Sequence, residues 1–363
     1  MIPAPYFKGL HSLRFFAAFL VIIYHCNDAL KQVNSDLGID WPILMKGSRA
    51  VNFFFILSGF LITYLALHEY ENFKSFDYKR FLKKRILRIV PLYYLAVILG
   101  FLLIRVLYPQ IYGKNIFEFS ILKGLSYYLL FLPNIMAATY TEVGPLRSLW
   151  SIGVEEQFYL LFPIIFQVGM LFKKFTLQLL GYLLLSIFLY FYIYSQSGLF
   201  PESIQNFFLK YLRIHFILFG CLTGSIFYKF KGTLIQRVFH YRGVQISIYI
   251  GIIMLLFLPN EFDPHNLLSA LFFALLLVML SSDISPLNLE YQPLIYLGSI
   301  SYGLYIFHPY VSIFLRFLMQ RIELLNGLVR STPIIFYSMV FLITVLISHF
   351  SYKYYESYFL KFK

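Results

Sequence analysis

Apolar stretches of nearly membrane-spanning length follow one another along this chain, separated by short polar segments. A transmembrane helix needs about 20 mainly apolar residues to cross the hydrocarbon core of a bilayer. Stretches close to this length occur at residues 11–28, 50–68, 86–107, 154–171, 176–195, 207–228, 244–259, 266–281, 294–316 and 333–352. The pattern predicts an all-α fold, a polytopic transmembrane helical bundle of about ten spans. We expect one integral-membrane domain over residues 1–363.

A further apolar stretch, residues 119–138, is interrupted by a glycine, a proline and an asparagine. Basic residues favour the cytoplasmic side of a membrane, and many precede the third span: Lys74, Lys79, Arg80, Lys83, Lys84, Arg85 and Arg88. If 119–138 crossed the membrane, the later basic groups at 173–174 and 229–242 would lie outside. We therefore expect 119–138 to be re-entrant or interfacial and both termini to be cytoplasmic.

The composition agrees with a membrane protein and argues against two other classes. Hydrophobic residues make up 60% of the chain and charged residues 13%, with a mean hydropathy of +0.72, whereas soluble domains carry about 25% charged residues. The net charge of +13 does not indicate nucleic-acid binding, because the basic residues cluster beside apolar spans. Contacts with anionic lipid or phosphate explain the charge better. Cys26 and Cys221 both lie in apolar stretches and indicate no disulfide framework.

The first span carries two ionisable residues, Arg14 and His25, with almost nothing polar between them. Their spacing corresponds to about 1,100° of helical rotation, so both side chains lie on one face, roughly 16 Å apart along the axis. Ionisable groups at membrane depth are costly and usually face a cavity. Snorkelling toward the two membrane surfaces is the alternative. Histidine is also the natural general base near neutral pH.

Basic residues crowd the start of the third span, in the segment YKRFLKKRILRIVPLYY from Tyr78 to Tyr94. Lys84, Arg85 and Arg88 fall within about one helical turn. A topology signal alone would account for them. They also suit a cationic site for a phosphorylated cosubstrate, because arginine forms paired hydrogen bonds with phosphate. The two interpretations are compatible.

Two further spans combine polar residues with glycine or proline. Ser58 and Gly59, in VNFFFILSGFLI, allow a close backbone approach, which packing alone explains. His308 precedes Pro309 in SISYGLYIFHPY, with Tyr302 nearby. A histidine beside a proline kink is often structural, but this one also suits a substrate site.

Adjacent carboxylates, Glu155 and Glu156, open the span LRSLWSIGVEEQFYLLFP. Acidic residues favour a helix N-terminus, which is one explanation of the pair. Two acids followed by an apolar span are nevertheless costly, so partners are expected. Arg147 is the nearest cation in sequence, and Arg14 or His25 are candidates from another helix.

Taken together, these segments resemble the acyltransferase 3 family of bacterial integral-membrane acyltransferases. The matching segments occur in order: GLHSLRFFAAFLVIIYH, NFFFILSGFLI, RFLKKRILRIVPLYY, LWSIGVEEQFYLLFP and ISYGLYIFHP. Many members carry an acidic residue shortly before the first arginine, where this chain has His11. The resemblance is to the stand-alone type, without a periplasmic hydrolase-like domain.

The resemblance implies an O-acetyltransferase in the bacterial inner membrane. Such an enzyme moves an acyl group, usually acetyl, from cytoplasmic acyl-CoA to a hydroxyl of a cell-surface polysaccharide such as O-antigen, capsule or exopolysaccharide. The expected partners are therefore acyl-CoA, a glycan or lipid-linked glycan, and membrane lipid, with neither a metal nor a nucleic acid.

Each candidate residue then receives an expected role. His25 is the catalytic residue, as base or as acyl relay, and Arg14 supports it. Glu155 or Glu156 orients His25 or binds the sugar. Lys84, Arg85 and Arg88, with Ser58, bind the acyl-CoA, and Trp150, Tyr302 and His308 bind the acceptor.

Two other function classes remain open at this point. A membrane transporter also fits the many spans and the intramembrane charges, although no inverted repeat is visible. A non-catalytic scaffold or sensor is the third class. Consumption of a thioester by the purified protein separates the enzyme from both.

Overall fold

The computed structural model describes residues 5–112, 119–140, 143–171, 207–232, 234–263, 266–282 and 284–363. Helices and their connections make up these residues, and no strand occurs in them. The chain is therefore an all-α membrane bundle, as the sequence predicts. The predicted span 176–195 and the basic pair at 173–174 lie outside the described residues.

The helices are α1 (Leu10–Val33), α2 (Gly47–Phe73), α3 (Tyr78–Tyr112), α4 (Ile121–Leu129), α5 (Pro133–Thr139), α6 (Trp150–Leu171), α7 (Ile214–Phe230), α8 (Leu234–Phe239), α9 (Arg242–Phe257), α10 (Leu267–Ser281), α11 (Gln292–Ser299), α12 (Ser301–Arg321), α13 (Glu323–Ser331), α14 (Ile334–Phe350) and α15 (Ser357–Leu360). Five segments are long and apolar enough to cross a membrane: Leu10–Val33, Gly47–Phe73, Tyr78–Gln110, Gly144–Met170 and Ile334–Leu360. Helices α7, α9 and α10 are apolar but shorter.

The stretch 119–138, expected to be re-entrant or interfacial, contains α4 and α5, with 9 and 7 residues, each far short of the bilayer thickness. Two predicted spans differ from the observed helices. The stretch 294–316 is broken at Ile300, where α11 ends and α12 begins. The stretch 207–228 opens with a π-helical turn, Phe207–Leu212, before α7 starts at Ile214.

Helix α2 packs closely along α7 because glycines remove side chains from the contact. A Cβ atom at Gly59 would overlap the backbone carbonyl of Ile217, and one at Gly220 would overlap that of Ile56. Helix–helix packing in membranes commonly uses small residues in this way. The structure therefore confirms a packing role for the glycine of the Ser58-Gly59 pair, while Ser58 faces elsewhere.

The beginning of α2 is tied to the end of α9 by two buried cations. The Lys46 ammonium donates to the carbonyl of Leu258 over 2.6 Å and to Asn260 Oδ1 over 2.7 Å. The Arg49 guanidinium donates to the carbonyl of Leu255. These carbonyls belong to the last turn of α9 and to Leu258, the residue that follows it, where helices leave acceptors unsatisfied and cations are favoured.

Candidate active site

A partly open cavity lies among α1, α2, α3, α6 and α12. Its polar lining comprises Arg14, Ser58, Arg85, Arg88, Ser151, Glu155, Tyr159, Ser301, Tyr302 and Tyr305. Six of the residues that the sequence singled out are therefore together at one cavity: Arg14, Ser58, Arg85, Arg88, Glu155 and Tyr302. They come from five helices far apart in the chain.

The cavity lining carries an excess of positive charge. Arg14 reaches it from α1, and Arg85 and Arg88 reach it from the first turns of α3. Glu155 is the one carboxylate among the lining residues, and within the described part of the chain no ion pair joins a carboxylate to any of the three guanidiniums. Three cations facing one anion at low dielectric attract a polyanionic group.

Hydrogen bonds link a serine, a tyrosine and a glutamate across the lining. The Tyr159 hydroxyl donates to Glu155 Oε2 over 3.0 Å and also bonds Ser58 Oγ. The Arg85 guanidinium lies over the Tyr159 ring, 5.0 Å from its centre. Tyr159 thus connects the acidic residue, the hydroxyl of α2 and one of the arginines.

Two tyrosines of α12 fix this helix against the cavity wall. The Tyr302 hydroxyl donates to the carbonyl of Ile89 over 2.9 Å. The Tyr305 hydroxyl donates to the carbonyl of Ser148 over 2.9 Å and lies 2.7 Å from Ser151 Oγ. The phenolic groups are therefore held by α3 and by the entry to α6, with their rings left to line the cavity.

Five predicted site residues do not line this cavity. Lys84 is exposed, one residue before Arg85. Glu156 is buried, and its Oε1 atom has no hydrogen-bond partner among the described residues. The Trp150 ring packs edge-on against Phe55, with ring centres 5.9 Å apart. The other two are His25 and His308.

His25 and His308 lie beside each other. Their ring centres are 5.2 Å apart with an angle of 33° between the planes. His25 is half-buried and also contacts the ring of Tyr24, while His308 is fully buried. Tyr305 lines the cavity, and its ring centre is 5.8 Å from that of His308. The side chain of Tyr305 therefore lies between the histidine pair and the cavity, and the His25 ring packs against protein.

The expected contact between a glutamate and His25 is not present. Glu155 bonds Tyr159 in the cavity, and Glu156 lies outside the lining. The aromatic neighbours of His25 in the described chain are Tyr24 and His308. Both glutamates lie on α6, which faces the arginine cavity, whereas His25 faces α12.

Sequence reasoning missed Tyr159, although a signal for it exists. Tyr159 follows Glu155 by four residues, and residues at that spacing are neighbours on a helix surface. Arg213 is an ionisable residue of an apolar stretch whose role the sequence leaves open; its guanidinium lies over the Trp150 ring at 5.3 Å and donates to Ser48 Oγ over 2.7 Å. No spacing rule links Arg213 to Trp150, because the contact joins separate helices.

These features define a polytopic helical membrane protein with a cationic, hydroxyl-lined cavity and an adjacent histidine pair. The model of the acyltransferase 3 family, described as "Acyltransferase domain", matches residues 7–352. The chain belongs to this family.

Curated relatives match over most of this chain. The O-acetyltransferase OatA of Staphylococcus aureus (strain NCTC 8325 / PS 47) is 27% identical over 97% of this chain and 57% of its own length. The Bacillus subtilis (strain 168) protein named "Putative peptidoglycan O-acetyltransferase YrhL" is 26% identical over 84% of this chain and 48% of its own length. The chain thus spans about half the length of these relatives. No solved structure matches it.

Proposed function

We propose that this protein is a membrane-bound O-acyltransferase that moves an acetyl group from cytoplasmic acetyl-CoA to a hydroxyl of a cell-surface polysaccharide. Family membership and the names of the relatives support O-acetyl transfer. The single observation that carries the choice of donor is the cavity in which Arg14, Arg85 and Arg88 face one carboxylate. We further propose a bacterial inner-membrane location with both termini cytoplasmic.

The donor is assigned to the arginine cavity. The nucleotide part of CoA carries several phosphates, which bind guanidinium groups through charge-assisted hydrogen bonds. Arg85 and Arg88, near the start of α3, are placed to hold these phosphates, with Lys84 at the exposed margin. The thin, uncharged pantetheine arm then extends past Arg14 and Ser58 toward Tyr305, which lies between the cavity and the histidine pair.

The acceptor is assigned to the far side of that aromatic wall. There His25 takes the proton of the acceptor hydroxyl as its oxygen bonds to the thioester carbonyl carbon. The carbon–sulfur bond breaks, and the departing CoA thiolate receives the proton from His25. Arg14 lies roughly 16 Å along α1 from His25, so it supports the reaction by holding the donor in the cavity and does not contact the reacting carbonyl. The products are an acetyl ester and free CoA.

The names of the relatives support a proposal for the class of acceptor. The name of the Bacillus protein refers to peptidoglycan, so a cell-envelope glycan is the class to test first. Trp150 is proposed to contact it, since aromatic rings pack well against the apolar faces of sugars. Tyr302, for which acceptor binding was expected, lines the arginine cavity and is assigned to the donor instead. Membrane lipid surrounds the bundle.

The experiment measures CoA thiol release by the purified, detergent-solubilised protein, given acetyl-CoA and a cell-envelope glycan extract. Mass spectrometry of the glycan reports the added acetyl mass. We expect His25→Ala to abolish acetyl transfer and Arg88→Ala to raise the KM for acetyl-CoA about tenfold, with a smaller effect on kcat.

A matched histidine variant provides the control. His349 on α14 bonds the hydroxyl of Tyr296 and does not line the cavity, so His349→Asn should retain wild-type kinetics. Full activity of the His25→Ala protein would overturn the proposed role of His25. Absence of thioester consumption by the wild-type protein with any envelope glycan would overturn the function itself.

A further inference from the structure

We infer that His308 is a positioning residue that accepts a hydrogen bond from the His25 ring and so sets which His25 nitrogen is free to act as the base. The inference rests on the proposed function of His25. It replaces the role expected for His308, contact with the acceptor, and the role expected for a glutamate, orientation of His25.

A backbone contact sets the tautomer of His308. Its Nδ1 atom lies 3.1 Å from the backbone carbonyl oxygen of Leu304. A carbonyl oxygen only accepts hydrogen bonds, so Nδ1 must carry the hydrogen. In the neutral ring, Nε2 then carries a lone pair and accepts.

Proline stabilises this arrangement within α12. Pro309 lies inside the helix and has no N–H group, so the carbonyl of Tyr305, four residues earlier, loses its usual helical donor. The imidazole Nδ1–H of His308 faces the carbonyls at this point. The contact with the Leu304 carbonyl, next to this proline, therefore fixes the ring tautomer through the backbone.

The remaining nitrogen of His308 is the unusual feature. The side chain is completely inaccessible to solvent, and its Nε2 atom has no hydrogen-bond partner among the described residues. Buried polar atoms without partners are uncommon and call for an explanation. The His25 ring, with its centre 5.2 Å away, is the neighbouring side chain that carries an N–H donor.

A small rotation of the His25 ring toward His308 Nε2 would form this hydrogen bond and impose a direction on the pair. A His25 nitrogen that donates to His308 Nε2 retains its hydrogen, and its other ring nitrogen must then present a lone pair. That second nitrogen is the one able to receive the hydroxyl proton of the acceptor. A partner that orients an imidazole in this way is a recurrent arrangement where histidine acts as a base.

The kinetic test uses two substitutions that separate the two nitrogens. His308→Asn retains a donor near the position of Nδ1 but offers no acceptor at the position of Nε2, whereas His308→Gln places an amide oxygen there. We expect His308→Asn to lower kcat at least tenfold with the KM for acetyl-CoA unchanged, and His308→Gln to recover most of the loss. Equal kcat in the Asn variant and the wild type would overturn the inference.

A spectroscopic test reads the pair without any turnover. Nitrogen-15 NMR of histidine-labelled protein in detergent should show a neutral His308 protonated at Nδ1, and the His25 resonances should shift in His308→Asn but not in His349→Asn. A His308 protonated at Nε2 would overturn the inference. If the wild type transfers no acetyl group while the NMR result is as expected, the proposed function fails and the histidine pair stands.

Discussion

The guanidinium carbon of Arg85 lies 5.0 Å from the centre of the Tyr159 ring, and the hydroxyl of that ring donates to Glu155 over 3.0 Å. One aromatic side chain therefore stands between the cation and the anion and contacts both. The guanidinium remains directed at the cavity without closing an ion pair with Glu155. Because the Arg85 guanidinium lies over the Tyr159 ring and forms no ion pair with Glu155, its N–H groups remain available to bind phosphate.

Two variants of Tyr159 should separate its ring from its hydroxyl. Tyr159→Phe keeps the ring beneath Arg85 but removes the bonds to Glu155 and Ser58. We expect kcat/KM for acetyl-CoA to fall about 10- to 150-fold, because a lost hydrogen bond to a charged group costs about 1.5–3 kcal/mol. Tyr159→Leu also loses the ring, so its effect should be larger, as measured by initial rates of CoA release.

The control for this comparison is a tyrosine that bonds only backbone. The Tyr94 hydroxyl donates to the carbonyl of Leu129 over 3.0 Å, away from the cavity lining. Tyr94→Phe should leave kcat/KM within twofold of the wild type. A Tyr159→Phe protein as active as the Tyr94→Phe protein would contradict a role for the Ser58–Tyr159–Glu155 chain.

Shortened donors should show what the arginines recognise. Acetyl-pantetheine has the thioester of acetyl-CoA but lacks its nucleotide phosphates. If Arg88 binds those phosphates, Arg88→Ala should raise the KM for acetyl-CoA about tenfold and leave kcat/KM for acetyl-pantetheine nearly unchanged. Competition by free CoA should weaken with added salt in the wild type. An equal loss for both donors would place Arg88 elsewhere in the reaction.

The sequence alone was sufficient for the helical membrane architecture and for most of the cavity. Arg14, Arg85 and Arg88 could be found because charges in or beside apolar spans are rare and are retained for a reason. Glu155 was found in the same way. Each of these signals is local, a residue type within a short window, and does not depend on knowing which helices are neighbours.

The sequence alone did not predict which helices contact each other. Glu155 and His25 are both ionisable and intramembrane, which suggested a pair, but α6 presents Glu155 to Tyr159 and α12 presents His308 to His25. The break at Ile300 was also missed, because the stretch 294–316 is uniformly apolar enough to read as one helix. Neighbour relations and helix breaks of this kind depend on packing, not on composition.

Packing between α2 and α7 should be sensitive to a single methyl group. Gly59→Ala places a Cβ against the backbone of Ile217 and Cys221, which side-chain rotation cannot relieve. Overpacking of this kind costs about 1–3 kcal/mol, so the melting temperature of the solubilised protein should fall by several degrees. Gly243→Ala is the matched control, because nothing lies within 4 Å of the added Cβ. Equal melting temperatures would contradict the close contact.

Lys46 should make stability depend on pH in the alkaline range. Burial, together with the neighbouring Arg49 guanidinium, lowers the pKa of Lys46 from its usual 10.5 to about 8. Between about pH 8 and 10.5 the folded protein has released this proton while the unfolded chain still holds it, so this group's contribution to stability rises with pH in that window and is constant below it. The melting temperature of the wild type, followed from pH 7.5 to 10, therefore contains a rising component from Lys46.

Substitution isolates that component from the other titrating groups. Lys46→Met removes the ionisable group but keeps an unbranched side chain, so the difference in melting temperature between wild type and variant should grow in favour of the wild type as pH rises from 8 toward 10. Lys31→Met, at a partly exposed lysine paired with Asp40, should retain the wild-type dependence on pH. A constant difference between wild type and Lys46→Met across this range would show that Lys46 titrates at its ordinary pKa, despite being hydrogen-bonded and buried between α2 and α9.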